Sequence, residues 1–364
     1  MTAPSTEAGG ADVVVHPRAL TAAVQALFAA AGSGDEEARQ AAEQLVGANL
    51  SGHDSHGVGM LPRYVEIWRA GDLPLNRRPE RVLDAGALTV LDAGYGLGQV
   101  AGHEAMAVAV AKARAHGLSL TGLRRSHHLG RIGHWAEIGC AAGLVSLHFV
   151  NVISFPVVAP HGGSDARLVT NPVAIGVPRA GRPPLLLDFA TSRLAVGKVR
   201  VAQSTGQLLP PDAVIDAAGQ PTRDPAALFA GGALRAVGEH KGSGLALMCE
   251  VLGAALIGGP VQHERPASRR IVNNMLVIAI DPAALGRGAD FDAAIDALLA
   301  WVRASPPAEA GVPLQVAGEP EQAAREARAE GIPIDAETWR QLVAAAGQVG
   351  LAAERWHRLA GLVR

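Results

Sequence analysis

The chain has 364 residues, of which 49% are hydrophobic and 18% are charged, and its formal net charge is −2. This composition is typical of a folded protein with a well-buried apolar core and excludes an intrinsically disordered chain. Because the charge is nearly balanced and no apolar run reaches about 18 residues, we expect neither nucleic-acid binding nor a membrane span.

The N-terminal part of the chain is predicted to be helical. The small polar residues 1–12 carry no secretion signal, so a cytoplasmic location is expected. A strand is predicted over 13–15. Pro17 near a helix start and glycines at helix ends indicate helices over 17–31, 33–49 and 62–70. The segment SGHDSHGVGMLPRY, residues 51–64, joins the second of these helices to the third.

From residue 82 the apolar pattern changes to one of mixed strands and helices. A hairpin is predicted over 81–93, and further strands over 118–123, 143–151, 185–188 and 270–280. Helices are predicted over 99–116, 133–142, 195–201, 241–257 and 291–303. The polar residues 207–225 are predicted to form a loop, and residues 319–364 to be mostly helical with a break at 331–333.

This order of elements predicts an α/β fold with a central mixed sheet and with N- and C-terminal helices that pack together. Residues 82–290 are predicted to form the sheet domain. Residues 1–81 and 291–364 are predicted to form a helical domain that carries the Ser-His-Gly segment. The two cysteines, Cys140 and Cys249, stand in apolar surroundings without CxxC spacing, which predicts buried free thiols.

The segment 51–64 is the first candidate for an active site. It combines His53 and His56 with Ser55 and three glycines in a turn-rich stretch. Histidine exchanges protons near neutral pH, and glycine lets the backbone approach a ligand closely. A packed core requires no such mixture of residues, so the segment is predicted to border an active site.

Three common kinds of site are disfavoured by the residues. GLGQVA at 96–101 matches the dinucleotide fingerprint, but Arg124-Arg125 stand where the fingerprint requires a ribose-binding acid, so a Rossmann domain is rejected. The histidines have no HExxH or paired CxxC pattern, so no metal site is expected. A serine hydrolase is disfavoured because the chain lacks a GxSxG elbow and Ser55 is adjacent to His56.

Two segments have the composition of a phosphate-binding site. DFATS at 188–192 follows a predicted strand, and EHKGSG at 239–244 opens a predicted helix. Backbone N–H groups at a helix start, together with a lysine, bind phosphate well. Simple helix capping by Thr191 and Ser192, with a solvated Lys241, is the alternative explanation.

These segments also carry a resemblance to a known family. SGHDSHGVGMLPRY, SHHLGRIGHWAE (126–137), VAPHGG with TNPVAIGVP (158–178), LLLDFATS with GK (185–198), EHKGSG (239–244), AGEPE (317–321) and GIPIDAETW (331–339) resemble the malate/L-lactate dehydrogenase family of NAD(P)-dependent oxidoreductases. That family is distinct from the Rossmann lactate dehydrogenases. The resemblance implies a non-Rossmann α/β fold, a homodimer, and NAD or NADP as the cofactor of the sheet domain.

The resemblance also implies roles for individual residues. His56, with Ser55 beside it, and His128 would transfer protons. Arg63 and His127 would contact the substrate, since Met60 stands where some relatives have an arginine. The residues that would contact the cofactor are Ser154, Asp188, Ala190, Thr191, Ser192, Lys241, Gly242, Gly318 and Glu319.

The expected reaction is reduction of a 2-oxo acid, or oxidation of a 2-hydroxy acid, by hydride transfer with a histidine as proton donor. Three other activities stay open. Two are within the family: reduction of a cyclic 2-imino acid, and a ureidoglycolate or malate dehydrogenase activity. The third is a histidine-based metal hydrolase or lyase.

Overall fold

The computed structural model describes residues 12–264, 268–286, 288–309, 311–312 and 314–363, so most of the predicted tail over 1–12 lies outside the described residues. The strands are β1 (Val13–Val15), β2 (Glu80–Ala85), β3 (Leu88–Asp92), β4 (Leu118–Ser126), β5 (Val145–Ile153), β6 (Val173–Val177), β7 (Leu185–Phe189), β8 (Val214–Ile215), β9 (Pro221–Thr222), β10 (Ala233–Leu234), β11 (Val272–Ile280) and β12 (Ile332–Ile334). The helices are α1 (Pro17–Ala30), α2 (Asp35–Leu50), α3 (Leu61–Arg69), α4 (Gly98–His116), α5 (Gly133–Ala141), α6 (Val196–Thr205), α7 (Ala226–Phe229), α8 (His240–Gly253), α9 (Gly288–Arg303), α10 (Glu319–Ala327), α11 (Ala336–Gln348) and α12 (Ala353–Leu359).

The chain divides into two compact units. The helical unit comprises the described residues up to Ala70 and those from Glu321 onward, and the sheet unit comprises residues 71–320. These borders differ from the predicted ones, since residues 71–81 and 291–320 belong to the sheet unit. One reason is Asp296 on α9, whose carboxylate accepts hydrogen bonds from Arg179 and Arg182 of the β6–β7 connection at 2.9 and 2.8 Å.

In the helical unit, helices from both ends of the chain pack together, as predicted. α1 packs on α2 and α12, and α3 packs on α11. Leu20, Tyr64 and Trp356 are fully buried in this unit. The predicted break at 331–333 is strand β12, which pairs antiparallel with β1.

In the sheet unit, the strands of the main sheet lie in the order β2-β3-β4-β11-β5-β6-β7. β3 and β4 are parallel and the other neighbours are antiparallel, so the sheet is mixed as predicted. Helix α4 crosses between the parallel pair, and α5 packs on β5, β6 and β7. The core between sheet and helices includes Met106, Leu123 and Trp135, all fully buried.

Two parts of the sheet unit differ from the prediction. Strand β6 was missed because Pro172 precedes it and Gly176 lies within it. A Cβ at Gly176 would lie 2.7 Å from the sulfur of Cys140, so the glycine lets α5 approach the sheet. The prediction of a loop over 207–225 was also incomplete, because this part contains β8 and β9, which form a small sheet with β10.

Both cysteines are free, as predicted, and Cys249 is buried while Cys140 is half-buried. Burial raises the pKa of each thiol to about 12, so both stay protonated at neutral pH. Among the described residues, no helix combines the length and the hydropathy that crossing a bilayer requires.

His148 in the centre of the sheet predicts a pH dependence of stability. It is fully buried, its Nε2 lies 3.0 Å from the Ser146 hydroxyl, and burial lowers its pKa to about 3. Below pH ~6.5 the unfolded chain binds a proton here that the folded chain does not, so the free energy of unfolding falls with falling pH. Between pH ~6 and ~4, His148 should contribute about 1.4 kcal/mol per pH unit to the slope of the free energy of unfolding against pH. We expect this contribution to be absent from His148→Gln, measured by urea unfolding. Identical slopes for the two proteins would contradict this.

Candidate active site

The Ser-His-Gly segment lies in two short 3₁₀ turns between α2 and α3, Asp54–His56 and Val58–Met60. The Ser55 hydroxyl is 3.0 Å from Nδ1 of His56. Ser55 is exposed and His56 is half-buried, so the imidazole is accessible from solvent. The contact restrains the orientation of the ring, and proton transfer by His56 stays a prediction.

Asn49 and Arg328 hold this segment in place. The side-chain oxygen of Asn49 accepts the Val58 N–H at 2.8 Å, and its Nδ2 donates to Asp54 at 2.7 Å. Arg328, just after α10, binds both carboxylate oxygens of Asp54 at 2.8 and 3.0 Å. Gly57 is required here, because a Cβ would lie 2.1 Å from the Asn49 oxygen. Sequence reasoning missed these anchors, which are 279 positions apart.

The predicted substrate arginine already has a partner within its own helix. Arg63 on α3 donates to the Glu66 carboxylate at 2.5 Å, and both side chains are partly exposed. Its guanidinium charge is therefore compensated locally. A role for Arg63 in binding a substrate carboxylate stays a prediction.

His127 and His128 lie in the sheet unit directly after β4, in residues 126–129, which we call the histidine segment. His127 is 1% exposed and His128 is 9% exposed. The His127 N–H donates to the Gly96 carbonyl at 3.0 Å. A Cβ at Gly98, the first residue of α4, would lie 2.1 Å from the His128 carbonyl oxygen. Gly98 therefore lets α4 pack against the histidine segment, and Gly96 lets the chain pack against Arg77, whose carbonyl oxygen would lie 2.6 Å from a Cβ there. These contacts explain the pattern without a Rossmann domain.

Asp188, at the end of β7, is joined to the continuation of the histidine segment. Its Oδ2 accepts the Gly133 N–H at the start of α5 at 2.8 Å and lies 3.4 Å from Nε of Arg131. Both the Arg131 and the Asp188 side chains are almost fully buried. Arg131 also donates to Glu137 at 2.8 Å. The structure thus brings the motifs SHHLGR and LLLDFATS together through a buried ion pair.

This geometry predicts that Asp188 stabilises the fold whether or not it also contacts a cofactor. Asp188→Ala leaves Glu137 as the carboxylate partner of the buried Arg131. It also removes the acceptor of the Gly133 N–H, and a buried donor left unsatisfied typically destabilises a protein by about 1–3 kcal/mol. We expect Asp188→Ala to lower the free energy of unfolding by that amount, measured by urea unfolding without added ligand. Asp165→Ala is a matched control, because Asp165 pairs with Arg167 on the surface. Equal stability of the two variants would contradict the prediction.

Thr191 and Ser192 do not cap a helix. The Thr191 hydroxyl donates to the carbonyls of Thr170 and Asn171 at 3.0 Å each, and the Ser192 hydroxyl donates to the Leu194 carbonyl at 2.8 Å. The capping explanation is therefore wrong. The Thr191 hydroxyl ties the segment after β7 to the loop before β6, and the Ser192 hydroxyl closes a turn within the segment. Ala190 lies half-buried between Asp188 and these two residues.

Two more predicted cofactor segments adjoin this one. The Thr191 carbonyl accepts the Val237 N–H at 2.8 Å, shortly before α8. Lys241 is exposed in the first turn of α8, and a Cβ at Gly242 would lie 2.0 Å from the Val237 carbonyl. On the other side, the Leu186 N–H donates to the Ala317 carbonyl at 3.3 Å, and Gly318 has a φ of +96°.

Glu319 and Ser154 have defined surroundings as well. The Val316 N–H and the Arg303 guanidinium hold the pKa of Glu319 below its usual range, at 2.8 and 2.7 Å from the carboxylate. Ser154 follows β5, and its carbonyl accepts from the Gln262 side chain at 2.8 Å. Apart from Ser154, the predicted cofactor residues thus lie in segments that contact β7 or its continuation, with Gly318 and Glu319 near the start of the strand and the others at its end.

A cavity of about 370 Å³ opens beside the start of α8. Its walls are formed by the loop 159–164, the hairpin residues 218–221, and Arg235 with Glu239. None of the predicted cofactor residues is among the residues lining it. Within the described parts of the chain, no three His, Cys, Asp or Glu side chains are grouped so that they could hold a metal ion.

Comparison with known proteins shows the class to which this fold and these motifs belong. A malate/L-lactate dehydrogenase family model matches residues 15–343. Hydroxycarboxylate dehydrogenase B of Escherichia coli K12 is 45% identical over 337 residues, 91% of this chain and 93% of that protein. L-lactate dehydrogenase of Cupriavidus necator is 39% identical over 317 residues, 85% and 90% of the two chains. The structure of Δ1-piperideine-2-carboxylate reductase from Pseudomonas syringae has a TM-score of 0.81 at 31% identity, covering 92% of this chain and 99% of that one.

The chain belongs to the malate/L-lactate dehydrogenase family and is an oxidoreductase. Its relatives carry the names of dehydrogenases and reductases of hydroxy acids and related compounds. The non-Rossmann α/β fold implied by the sequence motifs is confirmed.

Proposed function

We propose that this protein is an NAD(P)-dependent 2-hydroxyacid dehydrogenase that also runs in reverse as a 2-oxoacid reductase. The observation that carries the proposal is the joining of four family motifs in the sheet unit. SHHLGR contacts LLLDFATS through Arg131 and Asp188. The segment leading into EHKGSG contacts Thr191, just after β7, and AGEP contacts Leu186, near the start of the same strand. Hydroxycarboxylate dehydrogenase B, at 45% identity, supports a hydroxy acid as the substrate.

The donor set around β7 suits a nicotinamide dinucleotide. Lys241 is an exposed cation in the first turn of α8, where the helix dipole also favours a phosphate group. Gly242 and Gly318 let the backbone pack closely, since a Cβ at Gly242 would lie 2.0 Å from the Val237 carbonyl oxygen and one at Gly318 would lie 3.2 Å from the Leu186 nitrogen. When bound, the cofactor supplies the hydride, and the protein supplies position and charge.

His56 takes the role of proton donor in this proposal. His128 assists the proton transfer or binds the substrate. Ser55 on Nδ1 keeps the His56 ring in one orientation, so that Nε2 can give a proton to the alkoxide oxygen as it forms. His127 and Arg63 are the candidates for contacts to the rest of the substrate. Nearly complete burial of the histidine segment excludes bulk water from its side chains.

A cyclic 2-imino acid is the second candidate substrate. The family includes the Δ1-piperideine-2-carboxylate reductase, whose fold this chain shares. Reduction of an imine carbon needs the same hydride and the same proton donor as reduction of a ketone carbon. The two candidates therefore differ in the substrate alone, and one assay separates them.

A homodimer and a cytoplasmic location complete the proposal. Helix α8 and the turn after it expose apolar side chains, with Leu247 52%, Met248 42%, Val251 42% and Leu256 60% exposed. Such a patch along one helix favours burial against a second copy. Light scattering should give twice the chain mass, and Leu247→Asp should reduce it to the chain mass. A monomeric wild-type protein would refute the dimer.

The function is tested by absorbance at 340 nm with NADH and then NADPH against pyruvate, oxaloacetate, phenylpyruvate and Δ1-piperideine-2-carboxylate. Oxidation of either cofactor by a 2-oxo acid supports the proposal and identifies the cofactor. Oxidation with the imino acid alone would replace the substrate by the second candidate. Absence of oxidation with all four, together with no thermal shift on adding either cofactor, would refute both.

A further inference from the structure

One extra residue in β4 sets the direction of the histidine segment. Asn273 of β11 pairs with Ser126, but Met275 pairs with Leu123, so β4 has one more residue than β11 over this stretch. Arg125 lies in this bulge with a left-handed φ of +52°. Bulges bend a strand and redirect the side chains that follow, and they are frequent beside active sites. The positions of the two histidines therefore depend on what holds the bulge.

Two buried asparagines of β11 hold the backbone on either side of the histidines. Oδ1 of Asn274 accepts the Arg125 N–H at 2.7 Å, and Oδ1 of Asn273 accepts the Leu129 N–H at 2.8 Å. Asn273 and Asn274 are 2% and 0% exposed. A buried N–H outside the regular ladder needs an acceptor, and these side chains supply it before and after the histidines.

The two asparagines are connected to Asn151 on the neighbouring strand β5. Oδ1 of Asn151 accepts from the backbone N–H and from the side-chain amide of Asn274, at 3.1 and 2.8 Å. Nδ2 of Asn273 donates to the Asn151 carbonyl at 3.1 Å. Asn151 is itself fully buried, so the network runs through the interior of the sheet unit.

The network ends at Glu250 of α8, whose carboxylate determines the direction of the hydrogen bonds along it. The buried Glu250 carboxylate accepts from Nδ2 of Asn151 at 3.1 Å, from Nδ2 of Asn171 at 2.9 Å and from the Gln262 N–H at 2.9 Å. A carboxylate accepts hydrogen bonds only, so the amide group of Asn151 must face it. The Asn151 oxygen then faces Asn274, and the Asn274 oxygen faces the Arg125 N–H.

We propose that Glu250, Asn151 and Asn274 are positioning residues for His128. The carboxylate orients the two amides in series, and the second amide holds the bulge from which the histidine segment emerges. The inference rests on the proposed function for the catalytic importance of His128, but the geometry of the network does not depend on it.

The test compares Asn274→Ala and Glu250→Gln with the wild type, using NADH, NADPH and phenylpyruvate at 340 nm. Displacement of a reacting group by about 1 Å lowers a rate by roughly 10²-fold, so Asn274→Ala should lower kcat to that extent with KM for the cofactor unchanged. Glu250→Gln keeps the size of the side chain and is the variant to use if Asn274→Ala does not fold. It should lower kcat less, by about 10-fold, because the glutamine oxygen can still accept, while its NH2 group replaces the second acceptor by a donor.

Val277→Ala is the matched control for loss of stability. Val277 is fully buried in the same strand and makes no side-chain hydrogen bond. If Val277→Ala lowers kcat as much as Asn274→Ala does, the effect is general destabilisation and the inference fails. Wild-type kcat in both network variants would also overturn it.

A second readout does not require turnover. In protein labelled with ¹³C at histidine Cε1, the His128 signal is identified by its absence from His128→Gln. It should move in Asn274→Ala and Glu250→Gln and stay in place in Val277→Ala. An unmoved signal overturns the positioning role. Failure of phenylpyruvate and the other oxo acids to react in the wild type refutes the proposed function instead, and the signal still decides the inference.

Discussion

His56→Ala should lower kcat by about 10²–10⁴-fold at saturating cofactor, because general acid catalysis contributes that much to proton transfer. The binding of cofactor, measured by thermal shift, should be unchanged. His128→Ala should have a smaller effect on kcat if His128 assists the transfer or binds the substrate. Near-wild-type kcat in His56→Ala, with substrate binding intact, would show that the assignment of the main proton donor is wrong.

His53→Gln is the matched control for His56. His53 lies three residues earlier in the same segment, and its Nε2 is 3.2 Å from the Glu321 carboxylate. Glutamine can maintain a hydrogen bond to Glu321, so kcat should stay within about threefold of the wild type. A loss as large as that of His56→Ala would mean that any change in the segment abolishes activity, and the role of His56 would then rest on pH profiles.

Gly98→Ala should also inactivate the protein, although no side-chain function is removed. The added methyl group would lie 2.1 Å from the His128 carbonyl oxygen and 2.6 Å from that of His127, so helix α4 and the histidine segment must separate. Overpacking of this kind destabilises by about 1–3 kcal/mol, and a displaced catalytic group lowers kcat by roughly 10²-fold. The free energy of unfolding and kcat are both measured on the purified variant.

Gly47→Ala provides the comparison for this substitution. Gly47 lies inside α2, and a Cβ there meets nothing within 4 Å. Alanine is preferred to glycine in a helix by about 0.5–1 kcal/mol, so this variant should be slightly more stable and fully active. Unchanged kcat in Gly98→Ala would contradict the close packing of α4 on the histidine segment.

Helices and central strands could be predicted well from the sequence because their apolar periodicity and glycine ends are local signals. Helix α4 shows this, since its pattern ends at Gly117, whose φ is +78°. Strand β6 could not be predicted, because a glycine within a short segment argues locally against a strand. Gly176 is explained only by the close approach of α5, which is a contact between distant parts of the chain. The border near α9 was misplaced for a similar reason, as an amphipathic pattern does not specify which surface the helix covers.

The candidate site was predictable as motifs but not as a connected structure. Asp188 was expected to contact a cofactor, and its ion pair with Arg131 is visible in the fold alone. The anchoring of Asp54 by Arg328 joins residues far apart in sequence. One signal was present: Asn273 and Asn274 interrupt the apolar strand VNNMLVIAI, and adjacent amides in a buried strand indicate a hydrogen-bonding role.

The most direct test of the central claim is transfer of deuterium from [4,4-²H₂]NADH, or the corresponding NADPH, to phenylpyruvate or to whichever oxo acid of the panel reacts fastest. We expect the product to be a 2-hydroxy acid with one deuterium bonded to carbon 2, detected by mass spectrometry and proton NMR. A 2-hydroxy acid without deuterium at carbon 2 would contradict hydride transfer from the nicotinamide and with it the proposed mechanism.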